Sequence, residues 1–266
     1  MTKSLVRLAV VLGACAVVAC ARPVETPSPI AVQRDLYLLA GQSNMAGRGT
    51  VEPDDRVTVA GIAMLDRSMA WVPAMDPVHF DKPTAGVGPA RAFAIAVRGK
   101  QPTRDIGLVP TAVGGSPISA WEPGALDAAT KTHPYDDAIA RAHVAMREGR
   151  FRAILWHQGE SDATPERSVL YAQRLRTLIA RFRDELGDPT LPFIIGQLGQ
   201  FPRANWSAAK VRVDSAQRAI AETMPGVAFV VSDGLGQRGD SVHFDSPSAR
   251  ELGRRYAAAY LTLVGR

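Results

Sequence analysis

Six short apolar runs govern what this chain can fold into. They occupy residues 36–40, 57–65, 106–113, 151–156, 193–198 and 227–231. Each has the length of a strand buried on both faces rather than of a helix. Between them lie stretches of helical spacing. One starts at Pro89, with Ala90, Phe93, Ala94 and Val97 on one face, and others cover residues 135–149, 165–186, 207–224 and 246–264. Pro89 suits a first helical turn, and Gly149 reads as a helix stop. Strands that alternate with helices predict βαβ units and a mostly parallel sheet with helices on both faces. Residues 68–88 read as a long irregular loop, of the kind that often carries function.

Four polar clusters follow predicted strands. Gly41-Gln42-Ser43-Asn44-Met45 follows the first, and Gly114-Gly115-Ser116 the third. His157-Gln158-Gly159-Glu160-Ser161-Asp162 follows the fourth, and Asp240-Ser241-Val242-His243 follows the last. In a parallel sheet those ends share one edge, where open α/β proteins bind ligands. Ser43 at such an edge is either a nucleophile or a polar turn, and a base elsewhere decides between them. Asp240 and His243 are three apart, so the carboxylate can reach Nδ1–H and leave Nε2 free as base. Gly114-Gly115 offers backbone N–H groups to an oxyanion or makes a tight turn. Gln158 offers an amide donor, Glu160 a second carboxylate, and Asp162 a cap for the next helix. Trp121 presents an aromatic face to a sugar or packs in the core. His79, His133 and His143 have no comparable partner nearby in sequence, and His157 reads as support for the Gln158 loop.

The first twenty residues differ from the rest. Lys3 and Arg7 precede an apolar stretch, residues 8–19, too short for a confident membrane span, as in a secretory signal. Val17-Val18-Ala19-Cys20 resembles a bacterial lipobox, with Leu12-Gly13-Ala14-Cys15 as a competing match. The expectation is a signal over residues 1–19, lipidation at Cys20, a tether over 20–34 and one domain over 35–266. That places the protein in a bacterial cell envelope, periplasmic, lipid-anchored or secreted. Both cysteines lie in the leader, so the domain has no disulfide, thiol nucleophile or cysteine metal site. The net charge of +5, less the two charges of Lys3 and Arg7, leaves +3 on the remainder. That is too mild to point to nucleic acid.

Together, Gly-Gln-Ser-Asn-Met, Gly-Val-Gly-Pro at 86–89, Gly-Gly-Ser at 114–116, His-Gln-Gly-Glu-Ser-Asp at 157–162 and Asp-x-x-His at 240–243 resemble the sialate O-acetylesterase and carbohydrate esterase family 6 branch of the SGNH hydrolases. The resemblance implies a three-layer α/β/α sandwich around a central, mostly parallel five-stranded sheet of flavodoxin-like type. It implies removal of O-acetyl groups from acetylated carbohydrates without metal or organic cofactor. Carried over, Ser43 is the nucleophile and His243 the base, with Asp240 and Glu160 both contending for the acid. Ser43 N–H, Gly115 and Gln158 match the oxyanion donors, with Gln42 in the same binding loop. Two rivals stand beside this reading. One is a sugar-binding envelope lipoprotein without turnover, and the other is an SGNH lipase or thioesterase for longer acyl chains.

Overall fold

The computed structural model describes residues 1, 33–201 and 206–265. The expected signal, the lipobox cysteine Cys20, Cys15 and most of the tether lie outside the described residues.

The first strand, β1 (Arg34–Gly41), is buried along nearly its whole length. Tyr37 and Leu39 enter one core, and Leu36, Leu38 and Ala40 enter another. Two covered faces explain why the strand reads as a continuous apolar run rather than an alternating one. The other strands are β2 (Ile62–Leu65), β3 (Trp71–Pro73), β4 (Ile106–Pro110), β5 (Gly149–His157), β6 (Phe193–Gly196) and β7 (Val227–Val230). They form one sheet in the order β3-β2-β4-β1-β5-β6-β7, parallel except for β3. The strands β4-β1-β5-β6-β7 keep the flavodoxin-like order. The expected five-stranded sheet is therefore corrected to seven strands, with β2 and β3 added at the β4 edge.

Helices cover both faces. The helices α1 (Ser43–Ala46), α2 (Pro89–Lys100) and α7 (Ser246–Val264) pack Met45, Phe93, Leu252 and Tyr256 on the Tyr37 side. On the Leu38 side lie α3 (Pro134–Ala145), the single turn α4 (Pro165–Ser168), α5 (Tyr171–Glu185) and α6 (Ala208–Thr223). Of these, α3, α5 and α6 contribute Tyr135, Leu175, Phe182, Val213 and Ile220 to that core. Starts are fixed locally. Ser207 accepts from Lys210 N–H to begin α6, and Asp245 accepts from Ser248 N–H to begin α7.

Four boundaries differ from the sequence reading. Residues 57–61 stay outside β2, because the chain turns just before it, with Ile62 N–H bonding back to Val59 O at 3.1 Å. The loop over 68–88 contains β3, which pairs antiparallel with β2. Gly149 opens β5 instead of stopping a helix, since α3 ends at Ala145. The helix expected over 165–186 is broken, because Leu170 N–H bonds back to Arg167 O three residues away. The apolar stripe resumes only at Tyr171, followed by Leu175, Leu178, Ile179 and Phe182.

Asp76 lies under this framework, 2% exposed, with Oδ1 lacking a partner among the described residues. Burial, and then the nearby Asp55 carboxylate, push its carboxyl up to about 7. The folded chain therefore holds a proton that the unfolded chain releases near 3.8. Stability should fall as pH rises between those values. Asp76→Asn is expected to raise Tm at pH 8 by several degrees and by much less at pH 4. Equal gains at both pH values in thermal melts would show that the carboxyl does not titrate in this range.

Candidate active site

The site forms where β1 lies between β4 and β5, at the carboxyl edge of the sheet. At Gly41 the backbone runs against β5. Its φ is +127°, and a Cβ there would stand 2.2 Å from His157 O. Gln42 N–H donates to His157 O at 2.8 Å, and the chain then turns into α1 at Ser43. The serine is thus presented at the switch point of the sheet.

Ser43 Oγ lies 2.8 Å from His243 Nε2, and His243 Nδ1 lies 2.7 Å from Asp240 Oδ2. A carboxylate only accepts, so the imidazole proton sits on Nδ1, and Nε2 accepts from the serine hydroxyl. Burial opposes the charge on Asp240, but three donors prevail. His243 N–H, His243 Nδ1–H and Val242 N–H hold the carboxyl down to about 2. The three side chains form one directed hydrogen-bond chain.

Asn44 fixes the loop that carries His243. Its Nδ2 donates to Val242 O at 3.0 Å, and its Oδ1 accepts from Phe244 N–H at 3.2 Å. It thereby holds the backbone on both sides of the histidine. Asn44 Nδ2 also donates to Glu160 Oε1 at 2.6 Å. Glu160 stands 3.8 Å from His157 Nε2, and among the described residues it makes no hydrogen bond or ion pair with His243. The two carboxylates that contended for one role are therefore separated by the structure: Asp240 touches the imidazole, and Glu160 touches the clamp. His157 is fully buried, and burial lowers its affinity for a proton. Its Nδ1 bonds to Tyr256, so it supports the loop, as expected.

The glycine loop is set by a buried ion pair. Arg48 Nη2 and Asp81 Oδ2 are 2.6 Å apart, with both side chains at most 5% exposed. Asp81 also accepts Gly114 N–H at 2.9 Å. Gly115, with φ +86°, takes a conformation that side chains rarely adopt. Among the described residues, Gly115 N–H and Ser43 N–H have no acceptor, so both are free to hold an oxyanion.

Four expected residues have other work. Gln158 is fully buried, and its Nε2 donates to Asp162 Oδ2 at 2.5 Å and Ser116 O at 3.2 Å. Both N–H groups are spent, which corrects its reading as a side-chain oxyanion donor. Asp162 also accepts Ile118 N–H, so it ties the 157–162 loop to the 114–118 loop, and the expected cap of the next helix is instead Thr164. Burial pushes its carboxyl up. Gln42 Oε1 accepts from Gly159 and Ser161 N–H at 3.4 Å, which makes it a brace between loops rather than a substrate contact. Trp121 is 1% exposed and packs edge-on against Trp156, so it has no face for a sugar.

Residues 33–262 match the family described as carbohydrate esterase, sialic acid-specific acetylesterase. The chain belongs to this family of carbohydrate esterases. It is 33% identical over 259 residues to a probable carbohydrate esterase of Arabidopsis thaliana, covering 90% of this chain and 94% of that one. The crystal structure of an Arabidopsis thaliana protein superposes with a TM-score of 0.76 at 30% identity, covering 86% and 98% of the two chains. The fold also matches NanS (TM-score 0.72, 19% identity, 88% and 98% covered). A carbohydrate acetylesterase from Xanthomonas citri superposes at TM-score 0.67 and 24% identity, with 87% of this chain and 57% of that one covered. This chain is accordingly a carboxylic ester hydrolase, built on an α/β fold that it shares with NanS.

In this esterase, sequence reasoning missed Arg48, Asp81 and the clamping role of Asn44. Asn44 stood inside a motif already singled out, whereas Arg48 and Asp81 carry no local signal. The geometry predicts unequal costs for the two carboxylates. Asp240→Asn should lower kcat by about 10⁴, the size of losing the group that orients the base. Glu160→Gln should cost less, about 10²-fold or below, because it loosens only the clamp. Steady-state rates of the two variants under one set of conditions check this, and the reverse order would assign the acid role to Glu160.

Proposed function

We propose that this carbohydrate esterase removes O-acetyl groups from acetylated glycans through an acetyl-serine intermediate. The hydrogen-bond chain from Ser43 Oγ through His243 to Asp240 carries the reading. His243 Nε2 takes the hydroxyl proton as Ser43 Oγ attacks the acetyl carbonyl. The carbonyl oxygen becomes an oxyanion, held by Ser43 N–H and Gly115 N–H. As the intermediate collapses, the bond to the sugar oxygen breaks, and His243 returns the proton to that oxygen. Water then attacks the acetyl-serine with His243 again as base, releasing acetate and restoring the Ser43 hydroxyl. Asp240, ionised throughout, stabilises the imidazolium in both halves.

Acetylated sialic acid, xylan and peptidoglycan are all substrates of the right class. The family description favours the first. So does Lys82, exposed with Nζ 3.9 Å from where a Cβ on Gly115 would stand, since an ammonium there suits a carboxylated sugar. Acetate release from a panel of these glycans tests the assignment, with p-nitrophenyl esters of increasing acyl length beside it. Rates that rise with acyl length would favour a lipase or thioesterase.

Ser43→Ala is expected to lower kcat by several orders of magnitude, up to about 10⁶, because a triad acts as a unit. Its circular dichroism and Tm should stay close to the parent's. Near-normal turnover in the folded variant would leave the mechanism without its nucleophile.

The reading extends to location. A lipid on Cys20 would hold the esterase in a bacterial cell envelope, and Cys20→Ala should move it from the membrane fraction to the soluble fraction. A native N-terminus beyond Cys20, found unmodified by mass spectrometry, would refute the anchor.

A further inference from the structure

The two N–H groups free to hold an oxyanion stand on different loops. Ser43 N–H belongs to the turn after β1, and Gly115 N–H to the loop after β4. One carbonyl oxygen must reach both, so the spacing of the loops sets how well the oxyanion is held. The sheet fixes that spacing only as far as Val113, whose N–H donates to Gly41 O at 2.9 Å. Past this bond the two chains part. Ser161 Oγ donates to Gly115 O at 2.9 Å, a support from the 157–162 loop rather than from the serine turn.

Arg48 and Asp81 span the gap. Arg48 Nη1 donates to Gly47 O at 2.7 Å, and Gly47 N–H closes the serine turn on Ser43 O at 2.8 Å. On the other side, Asp81 Oδ2 accepts from both Arg48 Nη2 and Gly114 N–H, at 2.6 and 2.9 Å. Among the described residues it is the one acceptor of Gly114 N–H. A Cβ on Gly114 would overlap Arg48 Nη2 and Asp81 Oδ2, so the pair requires glycine there. The segment carrying Asp81 is stitched to the same turn. Gly86 N–H donates to Gly47 O, and Gly49 and Val87 exchange bonds of 3.1 and 2.8 Å. Arg48 O accepts Arg238 Nη1 at 2.8 Å, and Arg238 N–H donates to His243 O at 3.0 Å. The base loop therefore takes its register from the same residue. Burying two charges returns little stability over an apolar pair. What the pair adds is direction, since a planar guanidinium facing both carboxylate oxygens fixes how the carboxylate is turned.

We propose that Arg48 and Asp81 are positioning residues of the hydrolysis, whose ion pair sets the spacing between the two oxyanion donors. Both side chains are at most 5% exposed, so they act through the backbone of Gly47 and Gly114 and not on the substrate. The inference rests on the esterase reading and adds what gives the oxyanion hole its geometry.

Methaneboronic acid reads this geometry directly. Ser43 Oγ bonds to boron as His243 takes the hydroxyl proton, and the tetrahedral boronate sets an oxygen in the oxyanion hole. Its Ki is measured beside kcat, KM and the pH profile for p-nitrophenyl acetate, in the parent and two variants. Arg48→Met combined with Asp81→Leu replaces the pair by apolar side chains and strands no charge. Arg48→Lys keeps the charges paired but gives up the fork that reaches Gly47 O and Asp81 together. Ki is expected to rise as kcat/KM falls, by about 10²-fold in the double variant and about tenfold in Arg48→Lys. The loss should lie in kcat, with KM little changed and the acid limb unmoved, because His243 keeps Asp240. Arg48→Lys decides alone if the double variant does not fold. A merely structural role would lower the active fraction, cutting kcat and leaving Ki at the parent's value. A parent-like Ki in a folded variant therefore overturns the inference and leaves the esterase intact. A parent inert to both the ester and the boronate refutes the esterase reading, and the inference falls with it.

Discussion

Two hundred residues of chain separate Ser43 from His243, and the Asn44 carboxamide closes the gap. It sits next to the serine and bonds the backbone on both sides of the histidine. No strand or helix carries His243, so the position of its imidazole depends on a side chain borrowed from the serine's own turn. Glu160 in turn orients Asn44. The imidazole is thus located by a relay of hydrogen bonds rather than by secondary structure, and its precision depends on every partner being satisfied.

The two acids of the site's neighbourhood show how environment sets chemistry. Asp240 has a side chain two-fifths exposed, yet three donors converge on it and keep it charged. Asp162 is fully buried and accepts from Gln158 and Ile118, and desolvation still raises its carboxyl. Hydrogen-bond count wins in the first case, and burial wins in the second. The buried Arg48–Asp81 pair follows a third rule. Such a pair contributes little net stability, but removing one partner strands the other, at a cost of about 3–5 kcal/mol. Its evident use is to hold Gly114 and leave the next N–H free.

Much of this was legible in the chain. Apolar runs located six strands, and polar clusters behind them located the edge where the site lies. Asp240 and His243 are close in sequence, so their contact followed from spacing. What failed, failed for physical reasons. β3 is three residues long and half-exposed, so it carries no apolar signature. The break before α5 falls at Ser168-Val169, weak helix formers but with no glycine or proline to mark a stop, so the sequence pattern runs on across it. The fate of Gln158 depended on Asp162 being buried beside it, and the fate of Trp121 on Trp156 from another strand. Neither neighbour could be read from spacing alone.

The direction of β1 has a practical consequence. The chain enters the sheet at Arg34 and reaches the serine only after crossing it. Eight strand residues at about 3.3 Å each place the entry point roughly 26 Å from the site. Anything attached ahead of Arg34 therefore joins the domain at its far pole. Immobilised on a support through that end, the domain would turn its glycan-facing surface toward the solution, open to polymers too large to reach a site pressed against the surface.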